Sequence, residues 1–139
     1  MLALLATLLL SGCGGRDTIA GDTPQETAEG FAEAMQAGDY GMAATGFDYA
    51  TSARRQNPDW DNFGEHQRNL IVEELQEDRA NEIRSLAGMF TGEASVGDVQ
   101  QRDSSATATV SAGANTLILQ MRQIEDQWLI SNVVEDTGG

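Results

Sequence analysis

The chain has 139 residues with 22 acidic and 8 basic side chains, and its formal net charge is −14. A single domain of ordinary size fits this length. A surface of this sign repels phosphate backbones, which excludes DNA and RNA as partners. All eight basic residues are arginine, and the single cysteine cannot form an internal disulfide.

The N-terminus begins with a short apolar run, LALLATLLL, at residues 2–10. This run is shorter than the roughly 20 residues that a membrane-spanning helix needs, and it is typical of the core of a signal peptide. The next residues, Leu10-Ser11-Gly12-Cys13, resemble the bacterial lipobox. That resemblance implies cleavage between Gly12 and Cys13 and attachment of a diacylglycerol to the Cys13 thiol. We therefore expect residues 1–12 to be a lipoprotein signal peptide.

The resemblance also implies a location. Two or three acyl chains anchor a protein stably in a bilayer. A lipid bilayer is therefore the expected partner of acylated Cys13. The residue after the cysteine is Gly14 and not aspartate. By the sorting rule known for such lipoproteins, this implies the bacterial outer membrane, with the protein facing the periplasm or the cell surface. Residues 13–22, rich in Gly and Asp, are expected to form a lipidated flexible tether.

Two helices are predicted next. Thr23-Pro24-Gln25-Glu26 forms a capping box with proline at the first helical position. The apolar residues that follow recur at helical spacing, Gly38 is the expected left-handed stop, and Asp39 can cap a short second helix. The inward residues of the first helix are Ala28, Phe31, Ala32 and Met35, and those of the second are Met42, Ala43 and Phe47.

Residues 48–63 are predicted to be the least regular part of the domain, because Asn57-Pro58 disfavours helix. A third helical region is expected from about Trp60 to Phe90, with a bend or a division into two helices near residues 77–80. Its inner stripe is predicted to be Phe63, Leu70, Ile71, Leu75, Ile83, Leu86 and Phe90.

After Gly92 the hydrophobic period changes from 3.6 to two. A weak strand over residues 94–101 precedes three segments in which apolar and polar residues alternate. Short turn sequences separate the four segments, and such short connections favour antiparallel neighbours. The predicted fold class is therefore α+β, with N-terminal helices packed on a four-stranded antiparallel sheet. Residues 136–139 are expected to be a disordered tail.

Two segments carry a family resemblance. TPQETAEGFAEAMQAGDYGMA, near the start of the domain, and LILQMRQIEDQWLISNVV, at its end, resemble the nuclear transport factor 2-like superfamily (cystatin-like), which includes ketosteroid isomerase and small bacterial lipoproteins. The resemblance implies a domain over residues 23–135. It also implies a curved sheet wrapped around the helices, giving a cone with a pocket.

The resemblance guides the choice of candidate site residues. Enzymes of this superfamily use an inward carboxylate as general base with a tyrosine or second acid as proton donor. Asp48 with Tyr49 is the nearest candidate pair, although a capping aspartate beside a half-buried tyrosine is the favoured interpretation. Trp60 is assigned equally to the core or to a pocket mouth. Trp128 is assigned to the core in preference to a pocket wall.

The titratable residues predict neither a metal nor a cofactor. His66 is the only histidine, and Cys13 is expected to be lipidated, so a zinc or copper site has no ligand set. Asp59, Asp61 and Glu65 lack the spacing and the glycine of a calcium loop.

The favoured function is a membrane-anchored, non-enzymatic domain of the bacterial envelope that binds a small apolar ligand or a protein partner. Two alternatives stay open: an isomerase- or hydratase-like enzyme that uses Asp48, and a structural protein of envelope assembly. Dimerisation is also left open.

Overall fold

The structure, a computed structural model, describes residues 17–88 and 93–136. The expectations for Gly12, Cys13, Phe90 and residues 137–139 lie outside the described residues. Within them, four helices precede four strands. The helices are α1 (Pro24–Ala37), α2 (Tyr40–Ala44), α3 (Tyr49–Gln56) and α4 (Glu65–Ala87), with a 3₁₀ turn at Trp60–Asn62 before α4; the strands are β1 (Ala94–Arg102), β2 (Ser105–Ala112), β3 (Asn115–Ile124) and β4 (Gln127–Asp136).

Both ends of α1 lie at the predicted residues, but only the Thr23 half of the predicted capping box forms. The hydroxyl of Thr23 accepts a hydrogen bond from the backbone N–H of Glu26 at 3.1 Å. The carboxylate of Glu26 accepts from the N–H of Asp22 and not from that of Thr23. Gly38 ends the helix in the left-handed region at φ 74°, and the side chain of Asp39 caps α2. Local sequence therefore determines where α1 begins and ends.

The strands form an open antiparallel meander in the order β1-β2-β3-β4. This arrangement, with helices first and sheet second, confirms the predicted α+β class. Two-residue turns join the strands, and the backbone is left-handed at Asp103, Gly113, Glu125 and Asp126, as tight hairpins require. Irregular register between Val96 and Val99, and at Gln120/Met121, marks a bulge in each outer strand pair.

Alternation along the strands gives the sheet one buried face. On that inner face, α1 packs through Phe31 against side chains such as Leu119 and Trp128, and all three are at most 2% exposed. The buried side chains of the sheet are Ala106, Ala108, Val110, Ala112, Leu117, Leu119, Met121, Trp128 and Ile130. The opposite, outer face carries mostly threonine, serine, glutamine and arginine.

The tether prediction is wrong for its last residues. Ile19, Ala20 and Gly21 are buried against the domain, and the N–H of Trp128 donates to the carbonyl of Gly21 at 2.9 Å. Ile19 fits because Gly46 beside it has no side chain; a Cβ there would collide with Ile19. The folded domain therefore begins before residue 23, and it ends with β4 at Asp136 in the described residues, so that β4 includes one residue of the predicted tail.

The helical region after residue 48 differs from the prediction in two ways. The segment predicted to be irregular contains α3, which Asp48 caps through its side chain. The third region is one continuous helix, α4, and its predicted inner stripe is covered unevenly. Among the described residues of that stripe Ile83 alone is buried, at 1% exposure; Leu70 is 51% exposed, and the others are half-buried. At 3.6 residues per turn, Leu70 and Ile83 lie about 140° apart around a continuous helix. The predicted stripe therefore does not follow one face of α4, and only the part near Ile83 faces the core.

We predict that Ile83→Ala lowers the free energy of unfolding by about 2–5 kcal/mol, because it leaves a cavity in the core. Leu70→Ala, the matched change at the exposed end of the same helix, should change that energy by less than about 0.5 kcal/mol. Urea unfolding followed by circular dichroism measures both. Equal losses for the two variants would show that the exposed end of α4 is covered in solution.

Candidate functional site

Asp48 lies at the free edge of β4, where the helical half of the chain meets the sheet. Its neighbour Phe47 forms a parallel bridge with Ile130 and points into the core. The backbone N–H of Asp48 donates to the carbonyl of Ile130 at 2.9 Å. The side chain of Asp48 approaches Arg122 on β3. The bridge between Phe47 and Ile130 therefore fixes the position of the Asp48 carboxylate beside β4.

The carboxylate of Asp48 is buried and only half satisfied. Its Oδ1 accepts a hydrogen bond from the N–H of Thr51 at 3.2 Å, which caps α3. Its Oδ2 has no hydrogen-bond partner among the described residues, and Arg122 Nη1 lies 3.9 Å away. The side chain of Asp48 is 3% exposed and that of Arg122 is 49% exposed. A nearby opposite charge stabilises a buried carboxylate, and the 3.9 Å separation leaves the guanidinium N–H groups of Arg122 without a hydrogen bond to Asp48.

Tyr49 uses its hydroxyl for a structural contact. The O–H donates to the backbone carbonyl of Ala44. Burial raises the pKa of Tyr49 above its ordinary range; the guanidinium of Arg79 opposes this rise and the carboxylate of Glu82 adds to it. Asp48 and Tyr49 thus bond to different partners, as the capping interpretation of this pair predicts.

The two tryptophans occupy different environments. Trp128 is 2% exposed and belongs to the core, as expected. Trp60 is 6% exposed and packs outside that core, with its ring centroid 6.3 Å from that of Phe63. The guanidinium of Arg68 lies 5.4 Å from the Trp60 ring centroid, and its Nε donates to the Trp60 carbonyl. Trp60 therefore joins the 3₁₀ turn to the start of α4.

The outer face of the sheet carries a cleft of about 470 Å³, which we call the sheet cleft. Pockets of 300–1,000 Å³ are typical of small-molecule sites. The sheet cleft is lined by Gln100, Gln101, Arg102, Ser105, Ala106, Thr107, Gln120, Met121, Arg122 and Ser131. Sequence reasoning missed it. The sequence signal for the cleft is the set of polar residues that alternate with apolar ones in β2 and β3. Which of these residues lie side by side follows only from the strand registers.

Register places the two arginines of the sheet cleft in one row. Arg102 is paired with Ser105, and Ser105 is paired with Arg122. The arginines therefore lie on the same face, two strands apart, with a Cα separation of about 10 Å. Arg102 has no ion-pair partner among the described residues, and the ion pair described for Arg122 is the one with Asp48.

The charge of the sheet cleft is opposite to that of the chain. Its lining contains two of the eight arginines and no acidic residue, although the chain carries a net charge of −14. Other clefts on the described surface contain carboxylates. A cleft of about 350 Å³ between α1 and β1 includes Glu29 and Glu33, and one of about 260 Å³ between α3 and α4 includes Asp78 and Glu82. Of these three clefts, the sheet cleft is therefore the one lined by arginine without a carboxylate, and the nearest carboxylate to Arg122 is that of Asp48, 3.9 Å away.

Residues 17–88 and 93–136 contain no group of three or more His, Cys, Asp or Glu side chains arranged to hold a metal ion. Helices long and apolar enough to span a membrane are also absent from this part of the chain. No protein family, curated protein or solved structure matches the chain.

We predict that Tyr49 makes stability sensitive to alkaline pH. Its folded-state pKa is raised, so its stabilising contribution is complete below the unfolded pKa of about 10 and is lost as pH rises above it. At pH 8, Tyr49→Phe should cost about 1 kcal/mol because the Ala44 carbonyl loses its donor. Urea unfolding at pH 8–11 should show this difference shrinking above pH 10.

Tyr40→Phe is the matched control at the only other tyrosine. A constant difference between wild type and Tyr49→Phe across the whole pH range would contradict the assignment of the buried, neutral hydroxyl.

Proposed function

We propose that the protein is a lipid-anchored, non-enzymatic binding domain of the bacterial cell envelope, which takes its ligand or partner on the outer face of the sheet. The observation that carries the binding role is the sheet cleft, a cationic cleft on an uncovered face of a strongly acidic protein. The anchor rests on Leu10-Ser11-Gly12-Cys13, which resembles a lipobox.

The finer description of the fold is part of the proposal. A curved, cone-like sheet of the nuclear transport factor 2-like type is supported by the order of helices and strands and by the two register irregularities. Bulges bend a strand and increase its local twist, which is how a sheet curves around a helix.

The packing between α1 and the sheet favours a surface site over an internal one. Phe31, Leu117, Leu119 and Trp128 are at most 2% exposed and share one core cluster. Side chains thus occupy the space in which a cone of this type would hold an apolar ligand. The polar groups proposed for catalysis, on Asp48 and Tyr49, bond to backbone atoms. Both observations support binding on the outer face and weigh against an enzyme that uses a pocket carboxylate.

The packed N-terminal segment limits how far the domain can stand from the membrane. Thr18 is hydrogen-bonded to Thr45, so the connection to an acylated Cys13 spans five residues. Five extended residues cover about 17 Å. The proposed anchor therefore holds the domain close to the lipid headgroups instead of on a long tether.

We expect Cys13→Ala to abolish acylation, because the thiol is the proposed attachment point. Metabolic labelling of bacterial cells with a clickable fatty acid, followed by fractionation, measures this. Wild-type protein should carry label and sediment with membranes, whereas Cys13→Ala should carry none.

Ser11→Ala is the matched control because it keeps a small residue next to the processing site, so it should label like wild type. Label retained by Cys13→Ala, or a wild-type chain without label, would contradict the proposed anchor.

A further inference from the structure

Given the binding role proposed above, we propose that the sheet cleft is an oxoanion site that holds a phosphate group between Arg102 and Arg122. Both arginines line the cleft, and they lie in one cross-strand row on one face. Guanidinium groups match phosphate oxygens with paired N–H donors, which gives this pairing both strength and orientation.

The separation of the two arginines suits a shared anion. Their Cα atoms are about 10 Å apart across two strand spacings, and only Ser105, a small residue, lies between them in the row. Both long side chains can therefore converge above Ser105. The hydroxyls of Ser105 and Thr107 and the amide of Gln120 line the same cleft and add neutral donors.

Asp48 is a positioning residue for this site. Its carboxylate is buried, with Oδ2 unbonded and directed at Arg122. The 3.9 Å separation is too long for a hydrogen bond. Asp48 thus attracts the guanidinium of Arg122 without occupying its N–H groups, and these remain available to a phosphate.

The sheet cleft lies near the N-terminal segment that would lead to the proposed anchor. The arginine row includes the pair Arg122–Leu129, next to the pair Gln123–Trp128. Gly21 bridges Trp128 on the free edge of β4. The cationic row therefore lies at the end of the sheet where the N-terminal segment joins. The phosphate can belong to a lipid headgroup in the same membrane or to a soluble phosphorylated compound, and the chemistry of the site is the same for both.

The test is equilibrium dialysis of ³²P-labelled inorganic phosphate against the full protein as isolated from cells, in neutral detergent at low ionic strength, where charge effects are least screened. We expect saturable binding of one phosphate per chain. Arg102→Gln and Arg122→Gln should each weaken it by about tenfold, the usual effect of losing a charge-assisted hydrogen bond.

Arg54→Gln is the matched control, since Arg54 is exposed on α3 and does not line the cleft; it should bind like wild type. Arg102 is also exposed and without an ion-pair partner among the described residues, so Arg102→Gln keeps the test valid even if Arg122→Gln fails to fold.

A second arm identifies the source of the phosphate. The protein is reconstituted in phosphatidylcholine vesicles with or without phosphatidylglycerol. Loss of labelled phosphate in the presence of phosphatidylglycerol supports the site with a lipid headgroup as occupant, and unchanged binding supports it with a soluble compound.

Absence of saturable phosphate binding by the wild type, or an equal loss in Arg54→Gln, would overturn the site. Neither result depends on acylation. Failure of the Cys13 labelling therefore counts against the proposed anchor alone, and failure of dialysis counts against the phosphate site alone.

Discussion

The hydroxyl of Thr27 joins three separate parts of the chain inside the protein. It donates to the carbonyl of Trp128 and accepts from the N–H of Gly21, both at 2.9 Å. Trp128 in turn donates its N–H to the carbonyl of Gly21 at 2.9 Å. Thr27 is fully buried, and an unmade bond there would leave polar groups without water or partner. This closed set of bonds fixes α1, the start of β4 and the N-terminal segment relative to one another.

The rest of the architecture follows from that constraint. With α1 held against β4, Phe31 and Trp128 lie on the inner face of the sheet and exclude water from it. On the side of β4 that pairs with no other strand, Gly21 bonds to Trp128, and Gly46 and Asp48 bond to Ile130. That contact puts the carboxylate of Asp48 beside Arg122. Packing fills the inner face, and the polar side chains of the sheet lie on the outer face, where we propose that a ligand binds.

Sequence reasoning was accurate where structure depends on neighbouring residues. The capping residues of α1, its left-handed stop at Gly38 and the alternation in β2 and β3 are local signals, and the structure follows them. Sequence reasoning failed where structure depends on distant residues. Ile19 is buried because Gly46, far along the chain, has no side chain. Leu70 is exposed because no described element covers that part of α4.

The sheet cleft also depends on residues that are distant in the sequence. The arginines 102 and 122 are twenty positions apart, and only the pairing of both with Ser105 places them together. Alternation shows that both strands have a polar face, but register and bulges decide which polar residues become neighbours. From sequence, Asp48 is the nearest candidate for a catalytic carboxylate, and a helix cap is its favoured interpretation; the structure shows the cap. The position of Asp48 beside Arg122 relates it to the sheet cleft, through a contact that no local pattern contains.

We propose that ligands bind the outer face of the sheet and not its interior. Nuclear magnetic resonance of the isotopically labelled full protein in neutral detergent tests this, because arginine Nε–H signals report the outer face and side-chain methyl signals report the inner face during titration with inorganic phosphate. Binding at the sheet cleft predicts shifts of the side-chain signals of Arg102, Thr107, Gln120 and Arg122, with the methyl signals of inner-face residues such as Leu119 unchanged. Shifts confined to the inner face, with both arginine Nε–H signals unmoved, would contradict the claim.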